Sequence, residues 1–428
     1  MRSWMLGIAV AAVAGSLLPA SAGGLGAPNA ARCSGTPMRF GTPVVLGDPD
    51  VPAQGYEPSI ELDSAGTVFI TAHKLDIAQE EGRLASWLWR SNDGGKTFVD
   101  MAGLSGQTTN AYALEGDFAV DGKDRLYFVD TWAADNHLYR YVDHGKTMDF
   151  YQPALGSYEV DDRPWMAAHG DGRVYYMSNT GYKHDGRLTV HRSTDGGKTF
   201  SPIGFTFPLS GWGFIDADPK SKHVYAVVND LFYGTGPLGA NTGIFAWSSP
   251  DEGLTWTKTK IAGGDSIDYP TVAVSPRDGT VYAYWNTGKK LTLAQSKDRG
   301  KTWKSYDVTP FAGKFSNSWL TVGPTGDVAM VFRGEAEDGD AAYIYAMSWR
   351  EKGTCAAAPS TCKGPATSYA RVDNDPAPTQ EDFFQVEVGK DNAMNVAYKN
   401  GESNIFFNKQ TAGPTMRGAS WCGKAGRP

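Results

Sequence analysis

An eight-residue pattern, Ser-x-Asp-x-Gly-x-Thr-Trp/Phe, recurs along the chain and restricts the fold more than any other feature. It reads SNDGGKTF at 91–98, STDGGKTF at 193–200, SPDEGLTW at 249–256 and SKDRGKTW at 296–303. A worn copy, YVDHGKTM at 141–148, keeps Asp, Gly and Thr. The aspartates Asp93, Asp143, Asp195, Asp251 and Asp298 are spaced by 50, 52, 56 and 47 residues, the signature of a repeated structural unit. Chemically the pattern is a tight turn between two strands. Its glycine accepts positive φ and its Asp accepts hydrogen bonds from turn N–H groups. Ser and Thr tie the strand ends, and the last aromatic packs back onto the sheet.

Between the octapeptides a second signal repeats: a strand, a turn rich in Gly, Asp and Lys, and another strand. The copies are EPSIELDSAGTVFITAH, GDFAVDGKDRLYFVD, RPWMAAHGDGRVYYMSN, GFIDADPKSKHVYAVVN, YPTVAVSPRDGTVYAYWN, NSWLTVGPTGDVAMVFR and FFQVEVGKDNAMNVAYK. They begin at Glu57, Gly116, Arg163, Gly213, Tyr269, Asn317 and Phe383, and each is followed by a third strand such as RLTVHRS or TGIFAWS. With a fourth strand after each octapeptide, this predicts an all-β fold, a β-propeller of seven four-stranded antiparallel blades. In the sixth unit a loop bounded by Cys355 and Cys362 replaces the octapeptide. The seventh unit lacks a fourth strand, and Met38–Leu46 is expected to supply it and close the ring. A length of 428 residues would suggest two or three domains. Repetition overrides that prior: 1–22 reads as a leader, 23–37 as an N-terminal segment and 38–428 as the propeller.

The leader assignment rests on Arg2, the apolar stretch Met5–Val13 and the small-residue motif Ala20-Ser21-Ala22, with cleavage expected after Ala22. Arg32 precedes Cys33 where a lipoprotein signal would need a small residue, and no stretch reaches the length of a membrane span. The expected location is secreted, in a periplasm or outside the cell. Four cysteines allow three pairings. A ring whose ends meet favours Cys33–Cys422 with Cys355–Cys362, in an oxidising compartment. No Cys-x-x-Cys is present and the seven histidines are scattered, which speaks against a zinc site. A net charge of −7 with no basic run speaks against nucleic acid as a partner. The sequence is silent on oligomeric state.

The octapeptides resemble the Asp-box, or BNR, repeat of sialidases and related propellers, and the resemblance covers almost the whole mature chain at scaffold level. It implies a carbohydrate or glycoconjugate as partner. Sialidases carry an early Arg-Ile-Pro whose Arg grips a carboxylate, an acid/base Asp in the first blade and a late Tyr nucleophile. Here GYEPSI at 55–60 supplies the frame, but Tyr56 followed by Glu57 stands where that Arg is needed. An acid there has the wrong sign for an anionic sugar. The late Tyr has no counterpart, since the seventh inner strand begins Asp382-Phe383-Phe384. Asp161-Asp162-Arg163-Pro164-Trp165 resembles a segment of secreted sialidase-like proteins. Seven-bladed propellers with such repeats also occur among xyloglucan-cleaving enzymes and assembly factors, so fold alone does not assign an activity.

In a propeller the inner strands start at one face, to which the second-to-third-strand loops return. The octapeptides lie at the opposite face, so their aspartates read as structural. Charges gather instead at the inner-strand starts: Glu57, Glu115, Asp162 with Arg163, Asp268 and Asp382, with Asn317 in the sixth blade. The long loops are expected to bring His73, Lys74, Asp76, Asp130, Trp132, Tyr182, His184, Phe232, Tyr233, Trp285, Arg333 and Glu335 around them. Glu57, Asp76, Asp162 and Asp268 are the candidate acid and base. His73, Trp132, Arg163, Tyr182, Trp285 and Arg333 are candidate sugar contacts. The competing view makes these acids strand caps paired with Lys or Arg. A carboxylate-lined channel can hold a structural calcium ion, but no Asp-x-Asp-x-Asp loop specifies one and no other cofactor is expected. Three functions remain open: a glycan-directed hydrolase or lyase, a non-catalytic glycan- or protein-binding propeller, and a true sialidase.

Overall fold

Alternation of apolar and polar residues, broken by turn residues, produces short strands that pair with their sequence neighbours. The computed structural model describes residues 36–48, 51–52, 55–74, 86–101, 113–132, 135–155, 161–180, 187–201, 204–208, 211–229, 243–263, 269–337, 339, 341–352, 365–377, 384–400 and 404–416. The described elements are all strands. Six four-stranded antiparallel sheets follow the chain, and their innermost strands are Gly55–Leu62, Ala113–Val120, Asp161–His169, Gly213–Ala217, Thr271–Val274 and Gly313–Val322. The seventh sheet starts at Gln385–Val388 and continues through Met394–Asn400 to Asn404–Ala412. Inner strands neighbour one another in order, and that of blade 7 lies beside that of blade 1. Seven blades make one ring.

The N-terminal segment closes it. Arg39–Phe40 and Val44–Val45 both pair antiparallel with Asn404–Ala412, so the expected strand is present but broken into two short pieces around Gly41. Cys33, Cys355, Cys362 and Cys422 lie outside the described residues, as does the leader.

The octapeptides act as the sequence suggests. In each of the four full copies the Asp accepts from the Ser and Thr hydroxyls and from a turn N–H. At Asp298 these are Ser296 Oγ at 2.8 Å, Thr302 Oγ1 at 2.6 Å and Thr302 N at 2.8 Å. These donors hold the Asp298 carboxyl down to about 2. The worn copy has Tyr141 in place of Ser and keeps only a 3.4 Å bond from Thr147 Oγ1 to Asp143.

The octapeptide glycine has a second duty. It lets each turn press against an aromatic ring of the preceding blade. Gly95 sits on Phe407 of blade 7, Gly145 on Phe69 of blade 1 and Gly253 on Tyr175 of blade 3. The turns also bond the first-to-second-strand turns, as in Gly196 N to Gly172 O and Glu252 N to Lys222 O. They therefore share the face opposite the inner-strand starts.

Register counted from the first turn of each blade aligns Leu62, Val120, Ala168, Ala217, Val274, Val322 and Val388. Three residues earlier comes an upper ring: Ser59, Asp117, Trp165, Phe214, Thr271, Trp319 and Gln385. One residue earlier comes a lower ring: Glu61, Ala119, Ala167, Asp216, Ala273, Thr321 and Glu387. Contacts across the axis show that these side chains fill the channel. Trp165 of blade 3 and Trp319 of blade 6 lie 6.0 Å apart, and Phe214 touches both, at 4.0 and 4.2 Å. The aromatic arc plugs the channel; the opposite arc, Gln385, Ser59 and Asp117, is polar.

Each inner strand has a ladder on one side only, so its remaining N–H groups need acceptors. The blade before supplies them. Ile60 N donates to Gln385 Oε1 at 2.9 Å, Met166 N to Asp117 Oδ2 at 2.8 Å and Val274 N to Asp216 Oδ2 at 2.7 Å. In all three the acceptor at one register position bonds the next position of the following blade.

Substitution at the octapeptide glycines should separate strain from overlap. A methyl at Gly95 meets both a φ of 88° and the Phe407 ring, whereas at Gly253 the nearest atom of Tyr175 is 3.6 Å away. Gly95→Ala should therefore cost roughly 1–3 kcal/mol more than Gly253→Ala in denaturant unfolding. Equal losses would show that the clasp between blades 1 and 7 is not tight.

Candidate functional site at the channel mouth

Two residues before the upper ring, at the starts of their inner strands, stand Glu57, Trp212, Tyr269 and Asn317 among the described residues. Three of the strands are bulged at this level. The register jumps between Tyr56 and Ser59, between Asp162 and Trp165, and between Ser316 and Trp319. Blade 2 carries the same irregularity, opposite Asp130 and Trp132. An extra residue in an edge strand bends it and re-aims a side chain.

Two of the bulge residues have left-handed backbone. Glu57 has φ 52° and Asn317 has φ 56°. Asn accepts this conformation through its short polar side chain, whereas for Glu it is strained. Such outliers concentrate where ligands are gripped. Both side chains are also enclosed, Glu57 being 8% exposed and Asn317 1%. The Glu57 carboxylate lies 3.5 Å from His73 Nε2, and the Tyr56 ring packs on the same imidazole with centroids 4.2 Å apart. A carboxylate and an imidazole at this distance attract one another as an ion pair when the imidazole is protonated. On the other side, Ser316 Oγ donates to Asn317 Oδ1 at 3.0 Å.

Trp212 and Tyr269 form the aromatic side of this level, 5.1 Å apart, and Tyr269 rests on the plug through Trp165 and Phe214. Trp212 is held by a backbone bond to Asn229 Oδ1 at 3.1 Å. The mouth thus has an apolar floor, one aromatic wall, and an acid and an amide among its polar groups. Rings of Trp and Tyr suit the C–H face of a sugar, and carboxylate and amide groups suit its hydroxyls.

The other expected residues are placed unevenly. His73 belongs to the strand Val68–Lys74 and is buried beside Glu57, where a loop position had been expected. Asp130 is likewise a strand residue, fully buried, and accepts from Ser86 N at 3.0 Å. Trp285 is 4% exposed and packs in the core shared by blades 3, 4 and 5, as Tyr269 does. Arg333 pairs in register with Ser316 and is half-buried, with Nε donating to Ala377 O at 2.8 Å. Glu335 is bonded to Lys314 at the surface. The backbones of Lys74, Glu115, Trp132, Asp162 and Arg163 are described, their side chains are not. Asp76, Tyr182, His184, Phe232, Tyr233, Asp268, Asp382 and Phe383 lie outside the described residues. Among the described residues no group of three or more His, Cys, Asp or Glu could hold a metal ion.

The sequence reading missed Trp212 and Tyr269. Counting in twos back from the first turn of each blade finds both.

A curated sialidase of Bacteroides fragilis (strain YCH46) is 25% identical over 270 residues, 54% of this chain and 48% of that protein. The described strands form a β-propeller, and the chain is similar to that sialidase over the matched stretch. It spans about half the length of that relative. No family model matches it. Among solved structures, an α-L-arabinofuranosidase from Fusarium graminearum with an iminosugar inhibitor aligns at a TM-score of 0.47 and 15% identity, covering 74% of this chain and 98% of that one. The intramolecular trans-sialidase from Ruminococcus gnavus with oseltamivir carboxylate aligns at 0.43 and 14%, covering 86% and 96%.

The strain at residue 57 can be measured. Glu57→Gly and Glu57→Ala both remove the carboxylate, but only glycine adopts φ 52° freely. Glu57→Gly should be more stable than Glu57→Ala by about 1 kcal/mol in denaturant unfolding. Equal stability would mean that the backbone at 57 relaxes and holds no strain.

Proposed function

We propose that this chain is a secreted glycoside hydrolase of the sialidase-like superfamily that acts at the channel mouth on a glycan lacking an anionic group where Glu57 stands. The observation that carries the reading is the strained, enclosed Glu57 carboxylate beside His73, on a bulge above the polar arc of the channel. A strand cap has no need of left-handed backbone, and an acid in apolar surroundings is the usual starting point for acid/base chemistry on a sugar. A second carboxylate, from Asp76, Asp162 or Asp268, would complete the pair that hydrolysis requires. Trp212 and Tyr269 would stack the sugar ring, and Asn317 would bond a hydroxyl. Arg163 would orient Asp162 and balance the acids around it. The same Glu57 disfavours a sialoside, whose carboxylate would meet a carboxylate.

The test is an assay of the purified protein against neutral and sialylated oligosaccharides, reading reducing ends or unsaturated products. Cleavage of a neutral glycan is expected, with none of the sialosides. Glu57→Gln should lower turnover a hundredfold or more with little change in melting temperature. Cleavage of sialosides would overturn the substrate reading. Glycan binding with no turnover would make the mouth a recognition site, and turnover that survives Glu57→Gln would remove Glu57 from the catalytic pair.

A further inference from the structure

The lower channel ring carries an arrangement that neither the octapeptides nor the mouth requires. Its seven positions hold three carboxylates, Glu61, Asp216 and Glu387, together with Ala119, Ala167, Ala273 and Thr321. The carboxyl of Asp117 lies one layer above. No lysine or arginine occupies either ring. The charges act on one another across the axis: Glu61 faces Glu387, Asp117 and Asp216, and Glu387 faces Asp216 and Asp117. Asp216 is further opposed by Asp218.

These acids are built into the contacts between blades. Asp117 Oδ2 and Asp216 Oδ2 accept the backbone N–H groups of Met166 and Val274 in the following blades. Thr321 Oγ1 of blade 6 donates to Glu387 Oε2 of blade 7 at 3.0 Å. Gln385 and Ser59 serve the same polar arc, with Gln385 Nε2 donating to Ser59 Oγ at 3.0 Å. The ring side chains retain only partial exposure, to the channel. Three or four negative charges confined to so narrow a space, with no fixed cation, call for protons or an ion. The described carboxylates do not gather into an ion-holding group.

We propose that Glu61, Asp117, Asp216 and Glu387 form a proton-operated lock on the ring, which takes up protons in mildly acidic solution and makes the propeller more stable there than at neutral or alkaline pH. Burial raises all four; repulsion from the other channel acids adds to it at Glu61 and Glu387, and Asp218 adds to it at Asp216. Asp117 and Asp216 are pushed up to about 7 and Glu387 to about 8, and Glu61 is raised well above its ordinary value. In the unfolded chain the same groups lose their protons near pH 4. Between those limits the folded protein holds more protons than the unfolded one. The contribution is therefore fully present in acid and is lost as pH rises through about 7 to 8. A neutral carboxyl still accepts the N–H of the next blade through its carbonyl oxygen, so protonation removes repulsion without breaking the latch. The same inner strands carry the mouth residues at their other end, so the lock acts directly beneath the site. It does not depend on the reaction proposed there.

The experiment is calorimetric unfolding of the full chain between pH 5 and pH 8.5, with Glu387→Gln and Asp216→Asn as separate variants. The wild type should melt higher at pH 5 than at pH 8, by roughly 5 °C or more. Each amide variant should show a smaller pH dependence, and Glu387→Gln should melt above wild type at pH 8. Fewer protons should be released when either variant unfolds at pH 6, read from the dependence of enthalpy on buffer ionisation. An unchanged slope and unchanged proton release in the variants would overturn the proposal. So would a wild-type gain with calcium chloride that the variants lose, because the ring would then hold a cation.

Discussion

Seven strand edges converge on one axis, and the protein has to satisfy them there. Each innermost strand is bonded on one side and open on the other. The open side cannot face bulk water without leaving a wide pore, and it cannot pair with the next blade because the blades splay. The solution is chemical. Side chains from the preceding blade accept the open N–H groups at Ile60, Met166 and Val274, and large rings from blades 3, 4 and 6 fill the remaining space. The octapeptide clasps repeat this logic at the far face, each turn seated on the blade before it.

The plug gives the mouth its character. With the axis closed by Trp165, Phe214 and Trp319, anything bound above rests on aromatic carbon. The residues immediately above are set by the same period-two count as the plug. Bulges in the inner strands make room for that level and turn Glu57 and Asn317 into left-handed backbone. Strain here is sustained because the strands below are latched on both neighbours. The lower ring shows the opposite balance. There the strands are regular, and the cost lies in carboxylates held close together.

The fold was legible in the sequence because its signals are local. A turn octapeptide and an alternating strand pair announce themselves within twenty residues, and their repetition gives the blade count. Closure by Met38–Leu46 followed from the one missing strand. The site was only partly legible. Glu57 and His73 were found from their places near a strand start and a strand end. Asp162 and Asp268 were picked out by charge; the side chain of Asp162 and the whole of Asp268 lie outside the described residues. Trp285 was expected on a long loop at the rim; its position in the strand Val281–Asn286 buries it in the core. The channel acids in IELD, IDAD and VEVG passed as the polar half of an alternating strand. Only the closed ring reveals that the polar side of an inner strand faces the axis.

In the proposed function the mouth is the working face and the octapeptide face a framework. Hydrogen exchange with and without a bound oligosaccharide, read by mass spectrometry, tests this division most directly. Protection is predicted in peptides spanning 55–74, 161–180 and 313–336, where the bulged strands and their partners carry the mouth residues. Protection confined to the octapeptides at 193–200, 249–256 and 296–303, with the mouth peptides unchanged, would contradict it.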